Sequence, residues 1–124
     1  MLGVVFLTAL HRLVAAEFEC PQGEPFSAGL GDGVTLLSCN WEKTPGNIVR
    51  SGPLQLVKNG ILILQLTSDR EGRLHGEYTV WNDQGIVTTS GQYREGLKEG
   101  EWRITDERGN TRVIVYSAGI AATP

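Results

Sequence analysis

Short stretches of alternating apolar and polar residues fill the second half of the chain, and glycine-containing turns separate them. In the stretch 77–82, Tyr78 and Val80 would point to one side of a strand. Thr79 and Trp81 would then point to the other side. The turn sequence 83–85 follows, and a second strand is expected over 86–93. This alternation predicts β-strands joined by tight turns.

The pattern repeats with a period of 24 residues. Gly52, Gly76 and Gly100 are spaced by this distance, and a large apolar residue lies two positions after each of them. Turn glycines recur at the same interval, with Gly60 one residue short of register. The glycines that we assign to the repeat are Gly52, Gly60, Gly76, Gly85, Gly96, Gly100 and Gly109. Such self-similarity is typical of stacked supersecondary units.

These observations predict an all-β fold, an antiparallel meander of about three stacked 24-residue hairpin repeats with an irregular disulfide-pinned N-terminal cap. The strongest single turn signal is Asn59-Gly60, which precedes an apolar run. We divide the chain into a candidate signal peptide (1–16), a cap (17–51), the hairpin repeats (52–119) and a tail (120–124). The predicted core face comprises Leu54, Leu56, Leu62, Leu64, Leu66, Tyr78, Val80, Val87, Tyr93, Trp102, Ile104, Val113 and Val115.

The predicted strand 61–66 is apolar on both sides, because Ile61 and Ile63 alternate with Leu62 and Leu64. A strand of this kind is usually covered on both faces. The N-terminal segment is one candidate cover. A second subunit is the other, which would make a homo-oligomer through strand 61–66.

The region 17–51 differs from the repeats, since it holds three prolines and both cysteines of the chain. A bridge between Cys20 and Cys39 would close a loop of about 20 residues and stabilise the fold by roughly 3 kcal/mol. Two unrelated buried thiols are the alternative, and the compartment decides between the two. We expect an irregular cap here, with one short strand near Val34 to Leu37.

The first 16 residues resemble a secretory signal, with an apolar run that ends in Val14-Ala15-Ala16. The run lacks a preceding Lys or Arg, and an N-terminal helix of a cytosolic protein is the alternative interpretation. The run is too short to span a bilayer. The signal interpretation predicts a secreted or periplasmic protein.

Charge and side-chain chemistry exclude several functions. The chain has 11 basic and 14 acidic residues and a net charge of −3, which argues against nucleic-acid binding and against a basic membrane patch.

His75 has no nucleophile or carboxylate at an informative spacing, so we interpret it as a solvated turn residue. Asp69 and Glu71 are interpreted as a solvated loop. We predict no catalytic residue, no cofactor and no metal site.

With no catalytic residue predicted, we expect the protein to function by binding a partner. Trp81 is expected on the face opposite the core, together with Thr79 and Thr88, and an exposed tryptophan is a common contact anchor. These three residues are the candidate partner-binding site. The alternative is that Trp81 packs against a neighbouring hairpin.

The sequences Gly76-Glu-Tyr-Thr-Val-Trp-Asn-Asp-Gln-Gly85 and Gly91-Gln-Tyr-Arg-Glu-Gly96-Leu-Lys-Glu-Gly100-Glu-Trp102 resemble the MORN-repeat family. The closest likeness is to the variant repeats of the YwqK-type antitoxins. The resemblance covers about 52–116, with a degenerate first copy. The start Cys20-Pro21-Gln22-Gly23, with a second cysteine before the repeats, is similar to the secreted bacterial branch. The resemblance implies an elongated sheet used for binding or assembly, without catalytic residues.

We therefore expect a non-enzymatic extracytoplasmic β-repeat protein that acts as a protein-interaction or structural module, with an unknown protein partner in the cell envelope. The alternative is a cytosolic antitoxin-like or scaffold protein that binds a partner protein.

Overall fold

The computed structural model describes residues 18–122, and the candidate signal peptide lies outside them. Nine strands occupy most of this range. They are β1 (Glu24–Gly31), β2 (Val34–Thr44), β3 (Asn47–Lys58), β4 (Ile61–Ser68), β5 (Leu74–Trp81), β6 (Val87–Arg94), β7 (Leu97–Thr105), β8 (Thr111–Ser117) and β9 (Ile120–Ala121).

The strands form one antiparallel sheet in which spatial order follows chain order from β1 to β9. The all-β meander is therefore confirmed. The predicted repeats correspond to the hairpins β3–β4, β5–β6 and β7–β8. Extensive contacts in the described part run only between neighbouring strands, so the sheet is a single open layer.

Four of the connections are two-residue turns that need positive φ at both positions. Asn59-Gly60 has φ values of 50° and 83°, as the sequence predicted, and Glu95-Gly96 has 51° and 89°. Asp32-Gly33 and Ala118-Gly119 also have positive φ at both positions. These turns match the right-handed twist of the strands that they join.

Three longer turns share another design, in which one side chain organises the loop. The Oδ1 atoms of Asp69, Asn82 and Asp106 each accept hydrogen bonds from the backbone N–H groups two and four residues later. In each loop the glycine three residues on also donates its N–H to the carbonyl oxygen of that first residue. Asn82 and Asp106 are 24 residues apart, so the turn chemistry repeats with the strands.

The N-terminal region is more regular than expected. The short strand predicted near Val34 to Leu37 belongs to the 11-residue strand β2, and β1 pairs along its outer side. The Cys20–Cys39 disulfide is present, with a Cα–Cα distance of 5.6 Å. Cys39 is fully buried in β2, opposite Pro25 of β1, so the bridge holds the chain against the base of the first hairpin.

Trp102 is the most enclosed large side chain of the repeats, with 2% of its surface exposed. Its ring lies directly over Gly91 of the adjacent strand, where a Cβ atom would stand 2.2 Å from the indole. The indole Nε1 donates to the carbonyl oxygen of Gln92 at 3.0 Å. Glycine is thus required at position 91 because the ring occupies the space of a side chain.

The predicted core face is wrong at three residues. Val87, Val113 and Val115 are 41–47% exposed. In β8 the residues that share the face of Trp102 are Ile114 and Tyr116, because Ile114 lies directly opposite Trp102. The strand is apolar on both sides, so its alternation alone did not determine which side faces inward.

Candidate interaction surface

An unbroken row of side chains crosses the sheet on the face that carries Trp102. Each member lies directly opposite the next in a neighbouring strand, so all point to the same side. The row consists of Leu36, Leu56, Leu64, Val80, Thr89 and Ile104. A parallel row of Leu54, Leu66 and Tyr78 lies beside it. We call this side of the sheet the apolar face.

The apolar face is not covered by any element of the chain between residues 18 and 122. All members of the two rows are only half-buried, although they are mostly large aliphatic or aromatic residues. Neighbouring side chains in the same sheet account for their partial burial, since no second layer packs on them within this range. A contiguous exposed apolar surface on a soluble chain commonly marks an interaction site.

Four aromatic rings lie at the C-terminal end of this face. Tyr78, Tyr93 and Tyr116 surround Trp102, with ring centroids 5.6, 5.0 and 6.3 Å from it. The ammonium group of Lys98 lies 4.9 Å from the centroid of Trp102 and 5.0 Å from that of Tyr116. Such contacts add favourable electrostatics to the packing. This aromatic cluster thus gives one end of the face four neighbouring rings and one ammonium group.

The opposite face carries a polar row that also runs directly from strand to strand. Its members are Gln55, Gln65, Thr79, Ser90 and Arg103. The side-chain amide of Gln55 donates to Oε1 of Gln65 at 3.1 Å. Thr79 is a member of the predicted binding site, so that site belongs to this polar side of the sheet.

The remaining predicted binding residues lie near the end of β5. Trp81 is half-buried and lies opposite Val87, and Thr88 occupies the adjacent bulge. The hydroxyl of Thr88 donates to the carbonyl oxygen of Val80 at 3.4 Å. Trp81 and Thr79 are two positions apart in one strand and share a face, so the structure brings this pair together.

An open cleft of about 580 Å³ lies between the β5–β6 and β7–β8 turns. Thr88 and Ile86 line one side of it, and Thr105 and Arg108 line the other. Asn82 and Asp106 also border the cleft, but each uses its Oδ1 atom to close its own turn. The cleft therefore results from two repeated turns standing side by side.

The titratable residues that we considered for chemistry have structural contacts. His75 lies in β5, and its Nδ1 accepts a hydrogen bond from the backbone N–H of Glu95 at 3.1 Å. Glu71 forms an ion pair with Lys43, and Arg70 lies 5.0 Å from the ring centroid of Trp41. The loop that we interpreted as solvated therefore packs on the β2–β3 hairpin.

Two of the turn carboxylates have pKa values below the ordinary 3.8. For Asp69, burial opposes ionisation, but hydrogen bonds from Arg73 and from the Glu71 backbone outweigh it and lower the pKa. For Asp106, the backbone N–H of Asn110 is the largest cause of the lowered pKa, and the Arg108 N–H adds to it. These shifts favour the ionised turn and do not indicate an acid–base catalyst.

Within residues 18–122, no group of three or more His, Cys, Asp or Glu side chains is placed to hold a metal ion. The same range contains no helix with the length and hydropathy needed to cross a membrane. Comparisons with models of known families, with curated proteins and with solved structures found no match.

Sequence reasoning identified most of the apolar face but treated it as an internal core. The alternation of β3 to β7 was sufficient to find most of its residues, whereas Leu36, Thr89, Ile114 and Tyr116 were missed. One signal could have found Tyr116. Gly100 lies opposite Tyr116 just as Gly76 lies opposite Tyr93, so the glycine–tyrosine pairing repeats.

Proposed function

We propose that this protein is a non-enzymatic interaction module of the extracytoplasmic space, and that its apolar face binds a partner protein. The uncovered apolar face carries the proposal. A half-buried row that extends from Leu36 in β2 to Ile104 in β7 is maintained across six strands. Large apolar side chains on an open surface add little to the stability of a monomer. On a binding surface they are buried by the partner and contribute to affinity.

The disulfide supports the proposed extracytoplasmic location. Disulfides persist in oxidising surroundings such as the periplasm or the exterior of the cell. Cys39 is fully buried and bonded to Cys20, and no free cysteine occurs in the described range. This is consistent with the export that the apolar N-terminal run predicts, and it disfavours the cytosolic antitoxin-like or scaffold alternative.

The shape of the sheet supports a binding or assembly role of the kind that the MORN-like repeats suggest. A single layer leaves both faces accessible, and rigid turns keep the strands in register. The predicted site at Trp81, Thr79 and Thr88 remains a second candidate surface. Thr79 and Trp81 of this site lie on the polar side of the sheet.

A photo-crosslinking experiment in the native cell separates the two surfaces. A photoreactive residue at Val80 would report on the apolar face, and the same residue at Thr79 is the matched control, because it is adjacent in β5 and points to the other side. We expect an envelope-located crosslinked product from Val80 only. A crosslinked product from Thr79 alone would show that the partner binds the polar side of the sheet. Products found only in the cytosol would contradict the proposed compartment.

A further inference from the structure

The two faces of the sheet carry different charges in the strands β5 to β8. Five charged residues of these strands lie on the polar side, where they alternate with the residues of the apolar face. They are Glu77, Arg94, Glu99, Glu101 and Arg103. Every carboxylate within these four strands therefore lies on the polar side of the sheet, together with two arginines.

The apolar face carries two charged residues in the same strands, and both are basic. Arg112 lies opposite Ile104, the last member of the apolar row. Lys98 lies opposite Tyr93, and its ammonium group lies over the ring of Trp102. Lys98 and Ile104 are six residues apart in β7. The two basic positions are thus separated by about 20 Å along the strand direction, one on each side of Trp102.

Neither of these cations has a counter-charge in the described part of the chain. The ion pairs formed between residues 18 and 122 use Lys43, Arg73 and Arg103 as their basic members. Aromatic rings attract the ammonium group of Lys98, but they carry no net charge. The net charge of −3 conceals this local excess of positive charge, because it sums the two faces of the sheet.

The two cations limit which partner can cover the apolar face. A partner that buries Ile104 and the aromatic cluster also removes water from Lys98 and Arg112. Loss of water around a charge is unfavourable, and an opposite charge on the partner offsets that loss. A partner surface without carboxylates would leave both cations desolvated and unpaired.

We propose that the partner covers the apolar face with a protein surface that is apolar at its centre and places one carboxylate at Lys98 and another at Arg112. The assignment rests on the proposed function, because it specifies the chemistry of the partner that binds the same face. Ion pairs at two separate points also fix the register of the partner on the sheet, since apolar contacts alone are not directional.

Charge reversal tests the two ion pairs in the native cell, with the photoreactive residue at Val80 in the full-length protein. Lys98→Glu and Arg112→Glu should each lower the yield of crosslinked partner by about tenfold or more. Arg103→Glu is the matched control, because it makes the same change in charge in β7 but lies on the polar side. It should keep the wild-type yield. Arg112 is exposed and lies outside the aromatic cluster, so its variant remains informative if Lys98→Glu disturbs the fold.

The outcomes separate the chemistry of the partner from the proposed function. Wild-type yields in both Lys98→Glu and Arg112→Glu would overturn the proposed ion pairs and leave the binding face intact. An equal loss in Arg103→Glu would also overturn them, because the response would then be to the total charge of the protein. Absence of a Val80 product in the wild-type protein would overturn the binding face itself.

Coupling with a water-soluble carbodiimide identifies the group that meets Lys98. The reagent joins a lysine amine to a carboxylate in contact with it, and an amide bond forms with loss of water. We expect mass spectrometry to locate an amide between Lys98 and an aspartate or glutamate side chain of the partner. Lys98→Arg should lose this product and keep the Val80 photoproduct, because arginine retains the charge but does not form the amide. Coupling through Lys43 or Lys58 alone would contradict the proposed contact.

An anionic lipid surface would present phosphate groups to the same two cations. Flotation of the purified protein with phosphatidylglycerol vesicles distinguishes this source of negative charge from a protein carboxylate. We expect the wild-type protein to remain unbound. Binding to the vesicles that is lost in both Lys98→Glu and Arg112→Glu, but kept in Arg103→Glu, would overturn the assignment of a protein partner.

Discussion

The two ends of the sheet are stabilised in different ways. The hairpins from β1 to β4 depend on a disulfide and on buried aliphatic side chains, with Val57 and Leu62 each 3% exposed. The hairpins from β5 to β8 have no disulfide and depend on Trp102 and its three tyrosines. The degenerate first repeat explains the difference, because Gly52 lies opposite Ser68, whereas Gly76 and Gly100 lie opposite tyrosines. The hairpin β3–β4 contains no aromatic residue, and the disulfide links Cys39 of the adjacent strand β2 to Cys20.

Removing Trp102 should have the largest effect on stability. Trp102→Ala would delete a fully enclosed ring and leave its three tyrosine neighbours without a packing partner, at a cost of about 3–5 kcal/mol in the free energy of unfolding. Urea denaturation followed by circular dichroism measures this. Trp81→Ala, at a half-buried position, is the control and should cost clearly less. Equal losses for the two variants would show that Trp102 is not the centre of the C-terminal hairpins.

Removing the disulfide should cost about 3 kcal/mol through the greater freedom of the unfolded chain. Replacing both cysteines, as Cys20→Ser with Cys39→Ser, also places a hydroxyl in a fully buried position. Hydrogen exchange should show faster exchange in β1 and β2, with little change in β7. Trp102→Ala should give the reverse pattern. If both changes accelerate exchange uniformly, the sheet is one cooperative unit and the comparison of its two ends does not hold.

Gly91→Ala should destabilise by about 1–3 kcal/mol, because the added methyl group would overlap the Trp102 ring and force it to move. Gly29→Ala is a matched control, since Gly29 also lies in a strand without positive φ, and a Cβ atom added there would have no neighbour within 4 Å. That variant should stay within about 0.5 kcal/mol of the wild type. Thermal unfolding of both variants measures the difference in their stability. A loss of the same size in both would show that the Trp102 ring is not what demands glycine at position 91.

The smallest expected effect is on acid stability. Asp69 and Asp106 have folded-state pKa values below 3.8, so their contribution is present above that value and is lost as the pH falls through the lowered pKa. Asn82 closes an equivalent turn without a charge. We therefore expect Asp106→Asn to flatten the decline in unfolding free energy as the pH falls below 3.8. An unchanged slope in that variant would show that the turn carboxylate is not the cause.

The hairpin repeats could be predicted from sequence because local signals agree with the final structure there. Asn59-Gly60 forms the expected turn, and the alternation around Tyr78 assigns its strand correctly. The strand β1 was not predicted, since Glu24-Pro-Phe-Ser-Ala-Gly-Leu-Gly31 contains a proline and two glycines and has no β-branched residue. Pairing with β2 and the adjacent disulfide make it a strand, and both are tertiary effects.

The surface was harder to predict than the fold. Alternation identifies the residues that share a face, but it does not say whether that face is covered. Most of the apolar residues expected in a core, from Leu54 in β3 to Ile104 in β7, are half-buried on an open layer, whereas Leu62 and Trp102 are buried. Whether a layer is covered depends on the number of layers in the fold, and local sequence patterns do not contain that information.

We propose that this protein is exported, disulfide-bonded and a binding protein, and the first two properties can be tested together. The most direct test is the intact mass of the protein from its native source, measured with and without reductant. We predict a chain that begins at Glu17 and gains the mass of two hydrogen atoms on reduction, as the Cys20–Cys39 bridge requires. A full-length chain with free thiols would contradict export and would make the cytosolic antitoxin-like or scaffold alternative the leading interpretation.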